Sequence, residues 1–210
     1  ELVKGVSRAD SVTLNPHKML GTPLTTTVFM TRHKGLLLKT NSANAGYLFD
    51  KRKNGAAFDK GDGSFMCGRK CDAVKVWSMW KFRGRKGLAA RVDRNADNLR
   101  LLAKKIRQHD HFMLACDPWM FNVNFLYLPK RVRAMMEEAG IPTDGSEANV
   151  VFPDHIAEAL STVAIDLKLK LQEKGLALLP YQPLVGQKAQ VFRVILAGAK
   201  DDWGEAEIDD

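Results

Sequence analysis

SVTLNPHKMLG, residues 11–21, is where the fold becomes legible. A run rich in β-branched and apolar residues stops at Asn15, Pro16 and His17, then presents one lysine, Lys18, shortly before Gly21. Pro16 fixes its own φ and biases Asn15 towards extended geometry, so the strand ends in a defined direction. Asn15 and His17 set polar groups on either side of the proline. A lysine held this rigidly and partly desolvated has a lowered pKa and becomes a nucleophile towards carbonyls. The competing reading is a surface lysine after a strand, and the four residues NPHK alone do not separate the two.

Working outward, residues 9–15 and 25–31 (TTTVFMT) read as short buried strands around this turn. Residues 41–65 lack sustained apolar periodicity and are rich in Gly, Asn, Asp and Lys, which predicts a mobile loop. Within it Tyr47, Leu48 and Phe49 form an isolated apolar island. From Asp72 to Arg83 the residues Ala73, Val76, Trp77 and Trp80 share one helical face, and Gly84 ends the run. A second helix follows, with Leu88, Val92, Ala96, Leu99, Ala103 and Ile106 on one stripe. It spans about twenty residues, or ~30 Å, long enough to bridge two domains.

Beyond this helix the pattern changes. FNVNFLYLP (121–129) alternates as a half-buried strand does, with Phe121, Val123, Phe125 and Tyr127 on one side. Residues 153–174 are helical in period, with Ile156, Leu160, Val163, Leu167 and Leu171 inward and Gly175 as the stop. LALLP (176–180) and QVFRVILA (190–197) are expected to close a small sheet. This second part is an α+β layer, separate from the first ninety residues, and no internal repeat is present.

The composition of the 210 residues, 45% hydrophobic and 27% charged, is that of a globular protein. No stretch approaches the roughly 20 apolar residues of a membrane span, and the start is not a signal peptide. Three cysteines do not make a disulfide framework, which favours a reducing, cytoplasmic setting. The net charge of +8 comes from clusters at Arg32–Lys34, Lys51–Lys53, Arg83–Lys86 and Lys130–Arg131. Such a surface attracts nucleic acid or small anions. No recognition-helix or aromatic-platform pattern accompanies the clusters, which argues against nucleic acid as a partner. Glu1 in place of an initiator methionine, and a helical pattern opening at Trp203–Asp210, lead to the expectation that the chain is a fragment.

ADSVTLNPHKMLG (9–21) resembles the lysine segment of the group II pyridoxal-phosphate decarboxylases, most closely the glutamate and cysteine sulfinate decarboxylases. Further segments match in the same order. NAGYLF (44–49) is similar to the family's active-site loop, and DKGDGSFMCGRKCDAVKVWSMWKFRG (59–84) to its D-x-G-D…CGR-x-x-D-x-x-K-x-W-x-MWK-x-x-G segment. NVNFLYLP (122–129) resembles a strand of the C-terminal domain, and YQPL…VFRVI (181–195) its closing pair of strands. The resemblance implies the α/β fold of PLP-dependent transferases, of the aspartate aminotransferase type. Residues 1–87 would be the C-terminal part of the large domain, 88–109 a linking helix, and 110–210 a small α+β domain.

The resemblance also implies chemistry. Lys18 would carry pyridoxal phosphate as an imine, with His17 and Asn15 against the cofactor and Asn15 towards its phosphate. Tyr47 would cap the site and supply a proton to Cα after carbon dioxide leaves; a loop aromatic that merely packs is the other reading. Arg193 lies in an apolar strand, where an unpartnered guanidinium is costly, and its geometry suits a bidentate carboxylate. In the family this arginine meets a substrate carboxylate, either the distal or the α group; a structural salt bridge is the alternative. The implied enzyme is a cytoplasmic homodimer, its site completed by the neighbouring subunit. It would decarboxylate an acidic L-amino acid: glutamate, cysteine sulfinate or aspartate.

An aromatic amino-acid decarboxylase and an inactive fragment acting only by interaction are the rival functions. Cys67 and Cys71, with His109, His111 and Cys116, invite a metal reading, but the CGRKC spacing is wrong for paired-cysteine zinc sites. Gly61-Asp62-Gly63 lacks the carboxylate spacing of a calcium loop, so no metal is expected. The chain departs from the family pattern at Leu14, at Gly63 and across residues 138–152. The family's aspartate at the pyridine nitrogen, and the aromatic residue stacked on the ring, are expected upstream of Glu1.

Overall fold

The computed structural model describes residues 3–66, 68, 70–145 and 150–197. Cys67, the expected helix start at Trp203–Asp210 and part of the 138–152 stretch fall outside them. Two compact units divide between Arg85 and Lys86.

The first unit is built on an antiparallel pair, β1 (Ser11–Leu14) and β2 (Val28–Thr31), with Ser11 opposite Thr31 and Leu14 opposite Val28. A short helix α1 (Leu36–Asn41) follows. Between residues 42 and 66 the only helical pieces are single 3₁₀ turns at Ala56–Phe58 and Gly61–Gly63.

Helix α2 (Asp72–Gln108) is one helical stretch broken at Gly84, where φ is 58° and ψ is −178°. The sequence places a stop at this glycine. An L-residue rarely adopts that conformation, whereas glycine, lacking Cβ, adopts it freely. The face expected to be buried before the break is largely not: Trp77 is 63% exposed and Trp80 52%. Periodicity identified the helix; the first unit contributes no cover for its apolar side.

In the second unit β3 (Phe112–Leu114), β4 (Asn122–Tyr127), β5 (Tyr181–Pro183) and β6 (Gln190–Ile195) form an antiparallel sheet in the order β3-β4-β6-β5. Helix α3 (Lys130–Glu138) and helix α4 (Asp154–Glu173) lie between β4 and β5 in sequence. Met113, Leu126 and Val191 pack with Val132 and Met136 of α3 and Ile156 and Leu160 of α4. Leu114, Val123, Phe125 and Phe192 pack with Leu99, Ala103 and Ile106 of α2. Strand β4 is therefore buried on both faces: Leu126 is as inaccessible as Val123. The half-buried strand that alternation suggests is corrected by the second helical layer.

LALLP does not enter the sheet; YQP pairs with β6 instead, Pro183 opposite Gln190 and Tyr181 opposite Phe192. The Leu176 amide is spent closing the end of α4 on the Leu171 carbonyl at 3.0 Å, and Pro180 has no amide to give.

Candidate active site

The Lys18 turn is fixed almost wholly by backbone and short polar side chains. Pro16 is fully buried, and its carbonyl accepts from Thr22 N–H at 3.1 Å. The Lys18 amide donates to the Asn15 carbonyl at 3.0 Å, and Gly21 N–H returns to the Lys18 carbonyl at 3.0 Å. The loop from Pro23 to Thr27 braces this turn from the β2 side. Thr26, 1% exposed, donates its hydroxyl to the Pro23 carbonyl at 2.7 Å.

Two of these contacts set the chemistry of their partners. His17 Nδ1 lies 2.5 Å from the Thr26 carbonyl, which can only accept; Nδ1 therefore carries a hydrogen. Thr27 donates its hydroxyl to Asn15 Oδ1 at 2.8 Å. The Asn15 carbonyl oxygen is thus engaged, and its amide nitrogen keeps two hydrogens for an acceptor. The Thr25–Thr27 run carried no functional signal in the sequence beyond its β-propensity, and it positions both residues.

Lys18 itself is exposed, and its amine has no partner among the described residues. Among the described residues nothing supplies the partial desolvation expected of it. What the turn supplies is direction: an amine projecting from a rigid corner beside an oriented amide and an oriented imidazole.

Tyr47 sits on a separate loop in the same unit. That loop is pinned at its base, where Asn41 Nδ2 donates to the Gly63 carbonyl at 3.0 Å and Ser42 Oγ to Asp62 Oδ2 at 2.8 Å. Phe49 fills the space beside Gly61. Tyr47 does not pack in this arrangement: it is 93% exposed. No hydrogen bond or ring contact links it to the Lys18 turn among the described residues.

Arg193 belongs to the second unit, in β6. Its Nη1 donates to Gln182 Oε1 at 3.1 Å, and its buried Nε has no hydrogen-bond partner. No carboxylate pairs with it among the described residues. The Gln182 amide donates in turn to Asn124 Oδ1 at 3.3 Å. Neither residue was singled out by sequence reasoning; the YQP match lay over one of them.

Of the cysteines weighed for a metal, Cys71 is exposed and Cys116 half-buried, and both are free. Among the described residues no group of three His, Cys, Asp or Glu side chains is placed to hold a metal ion. No described helix is long and apolar enough to cross a membrane.

Residues 1–128 match the family model described as the pyridoxal-dependent decarboxylase conserved domain. The chain is similar to the cysteine sulfinic acid decarboxylase of Mus musculus, 35% identical over 198 residues, covering 93% of this chain and 37% of the relative. It is similar to the glutamate decarboxylase of Drosophila melanogaster, 34% identical over 208 residues, covering 98% of this chain and 37% of the relative. The crystal structure of mouse CSAD in apo form superimposes with a TM-score of 0.81 at 32% identity, covering 99% of this chain and 39% of that one. The chain thus spans a little over a third of the length of these relatives.

Proposed function

Because the chain belongs to the pyridoxal-dependent decarboxylase family, we propose that it is the part of such an enzyme that holds the cofactor lysine, and that the whole protein decarboxylates an acidic L-amino acid. When bound, pyridoxal phosphate supplies the electron sink that lets the Cα–carboxylate bond break. The residues present fit that group. Lys18 offers a free amine for covalent attachment, and Asn15 offers an amide whose oxygen is already engaged, so its hydrogens suit a phosphate. His17 is held by Thr26 with Nδ1 as donor, which fixes the plane of its ring beside the lysine.

Residues 1–87 are the C-terminal part of the large domain, 88–109 the linking helix and 110–210 the small domain. Tyr47 delivers the proton from its hydroxyl to Cα once carbon dioxide has left. Its exposure supports this role over a packing one. Arg193 holds a carboxylate of the substrate; the lack of any protein carboxylate beside it among the described residues supports that assignment. The acidic substrate class rests on the two relatives, whose names specify glutamate and cysteine sulfinic acid. A cytoplasmic homodimer, with the neighbouring subunit completing the site, is part of the same proposal.

The observation that carries the reading is the Lys18 amine, without a partner among the described residues, on a corner where both neighbouring polar side chains are hydrogen-bonded. The complete polypeptide containing these residues is expected to show the yellow absorbance of bound cofactor and to lose it with Lys18→Ala. Product assays on glutamate, cysteine sulfinate, aspartate and DOPA then give the substrate class. Retained absorbance and decarboxylation in the lysine variant would refute the assignment; turnover of DOPA alone would refute the acidic class.

A further inference from the structure

We propose that Gln182, held in one orientation by Asn124, is a positioning residue for Arg193. The inference rests on Arg193 holding a substrate carboxylate, as proposed above. Asn124 lies directly opposite Arg193 across β4 and β6, and Gln182 opposite Val191 across β5 and β6. Side chains alternate along a strand, so Asn124, Gln182 and Arg193 share one face of the sheet.

The hydrogen bonds along that face have a direction. The direction is set by Arg193, whose N–H groups can only donate, and it runs on to Asn124, whose Nδ2 lies 3.7 Å from Cys116 Sγ. Gln182 Nε2 donates to Asn124 Oδ1 at 3.3 Å, which leaves Gln182 Oε1 facing Arg193 Nη1 at 3.1 Å. A flipped Gln182 amide would set an N–H against an N–H at Arg193 and an oxygen against an oxygen at Asn124. The chain therefore admits one arrangement, and it ends on the guanidinium.

The chemical type at position 182 matters as much as its orientation. A carboxylate there would fix the arginine equally well but would neutralise its charge before a substrate arrived. A neutral amide takes one N–H and leaves the positive charge uncompensated. Gln182 thus aims the arginine without spending the charge that attracts an anion.

The test uses the complete enzyme with cofactor bound, steady-state kinetics on glutamate and cysteine sulfinate, and calorimetric titration of glutarate as a non-reacting dicarboxylate probe. Gln182→Glu is expected to raise KM and the glutarate Kd by about tenfold or more, with kcat within roughly threefold and cofactor absorbance unchanged. Gln182→Met, which removes the acceptor without adding charge, should give a smaller rise in the same direction and serves if the first variant does not fold. Arg193→Lys is the control for the underlying reading. In its background Gln182→Glu should add less than about twofold, because the two residues act as one unit. If Arg193→Lys leaves glutarate binding unchanged, the carboxylate role of Arg193 is wrong and the positioning role goes with it. If Arg193→Lys weakens binding and neither Gln182 variant does, positioning by Gln182 is overturned while the carboxylate role stands. Loss of cofactor absorbance or of kcat with unchanged KM in the Gln182 variants also overturns it.

Discussion

Asn15 illustrates how little a residue's identity says without its partner. Either end of its amide can face a ligand; in this structure the oxygen accepts from the Thr27 hydroxyl at 2.8 Å, and the hydrogens are left for a ligand. Thr27 is an exposed residue on a polar run, with no sequence signal of its own. A typical hydrogen bond contributes about 1 kcal/mol net, so Thr27→Val should cost little stability. It should instead weaken cofactor binding by roughly three- to tenfold, because the freed amide spends part of its time reversed. Absorbance titration of the complete enzyme with pyridoxal phosphate measures this, and an unchanged affinity would mean that Asn15 is oriented by something else. Lys18, Asn15 and His17 are singled out in the sequence by a proline that fixes the end of the strand together with a surrounding motif that resembles the family's lysine segment. Thr26, Thr27, Gln182 and Asn124 are not, because their roles are set by partners 9 to 58 positions away.

Gly84 and Gly61 carry the element-scale constraints. Helix propensity alone favours Gly84→Ala by about 1 kcal/mol, since alanine is the best helix former and glycine among the worst. The backbone at Gly84, φ 58° and ψ −178°, reverses that sign, because a side chain there costs of order 1–3 kcal/mol. A lowered melting temperature for Gly84→Ala is therefore expected in thermal unfolding; a raised one would mean that α2 runs straight. At Gly61 a Cβ would lie 2.6 Å from the Phe49 ring, within the loop that carries Tyr47. Gly61→Ala should displace Phe49 and increase proteolysis between residues 42 and 64, leaving β3 to β6 intact. Equal cleavage in the parent and the variant would refute that packing. The glycine stop in α2 was readable from sequence; the both-sided burial of β4 was not, because alternation reports one face and a second helix layer covers the other.

Across the whole molecule, burial is very uneven. Every buried hydrophobic side chain among the described residues lies between Leu88 and Leu196. The first unit buries Pro16, Thr22 and Thr26 but no apolar core, and it exposes Leu14, Leu24, Phe29 and Met30. A unit without buried apolar area has little to offset the entropy of ordering its chain. In native-state hydrogen exchange of the 210-residue chain, the slowest amides should fall in β4, β6 and α4, and the Lys18 turn should exchange far faster. Comparable protection in both units would show that the first one is stabilised in a way its burial does not reveal. The net charge of +8 matches a protein that attracts small anions, a long-range effect that needs no particular fold.

The sequence by itself determined the pieces that local rules govern: the strand ending in a proline corner, the helices and their glycine stops, and a motif order that placed the chain in its family. Tertiary structure alone decided which way the amides of Asn15 and Gln182 face, that β4 is covered twice, and that LALLP stays out of the sheet. The physical reason is range. Backbone preference and hydrophobic period act over a few residues, whereas an amide's orientation and a strand's second face are fixed by groups that only the folded chain brings together.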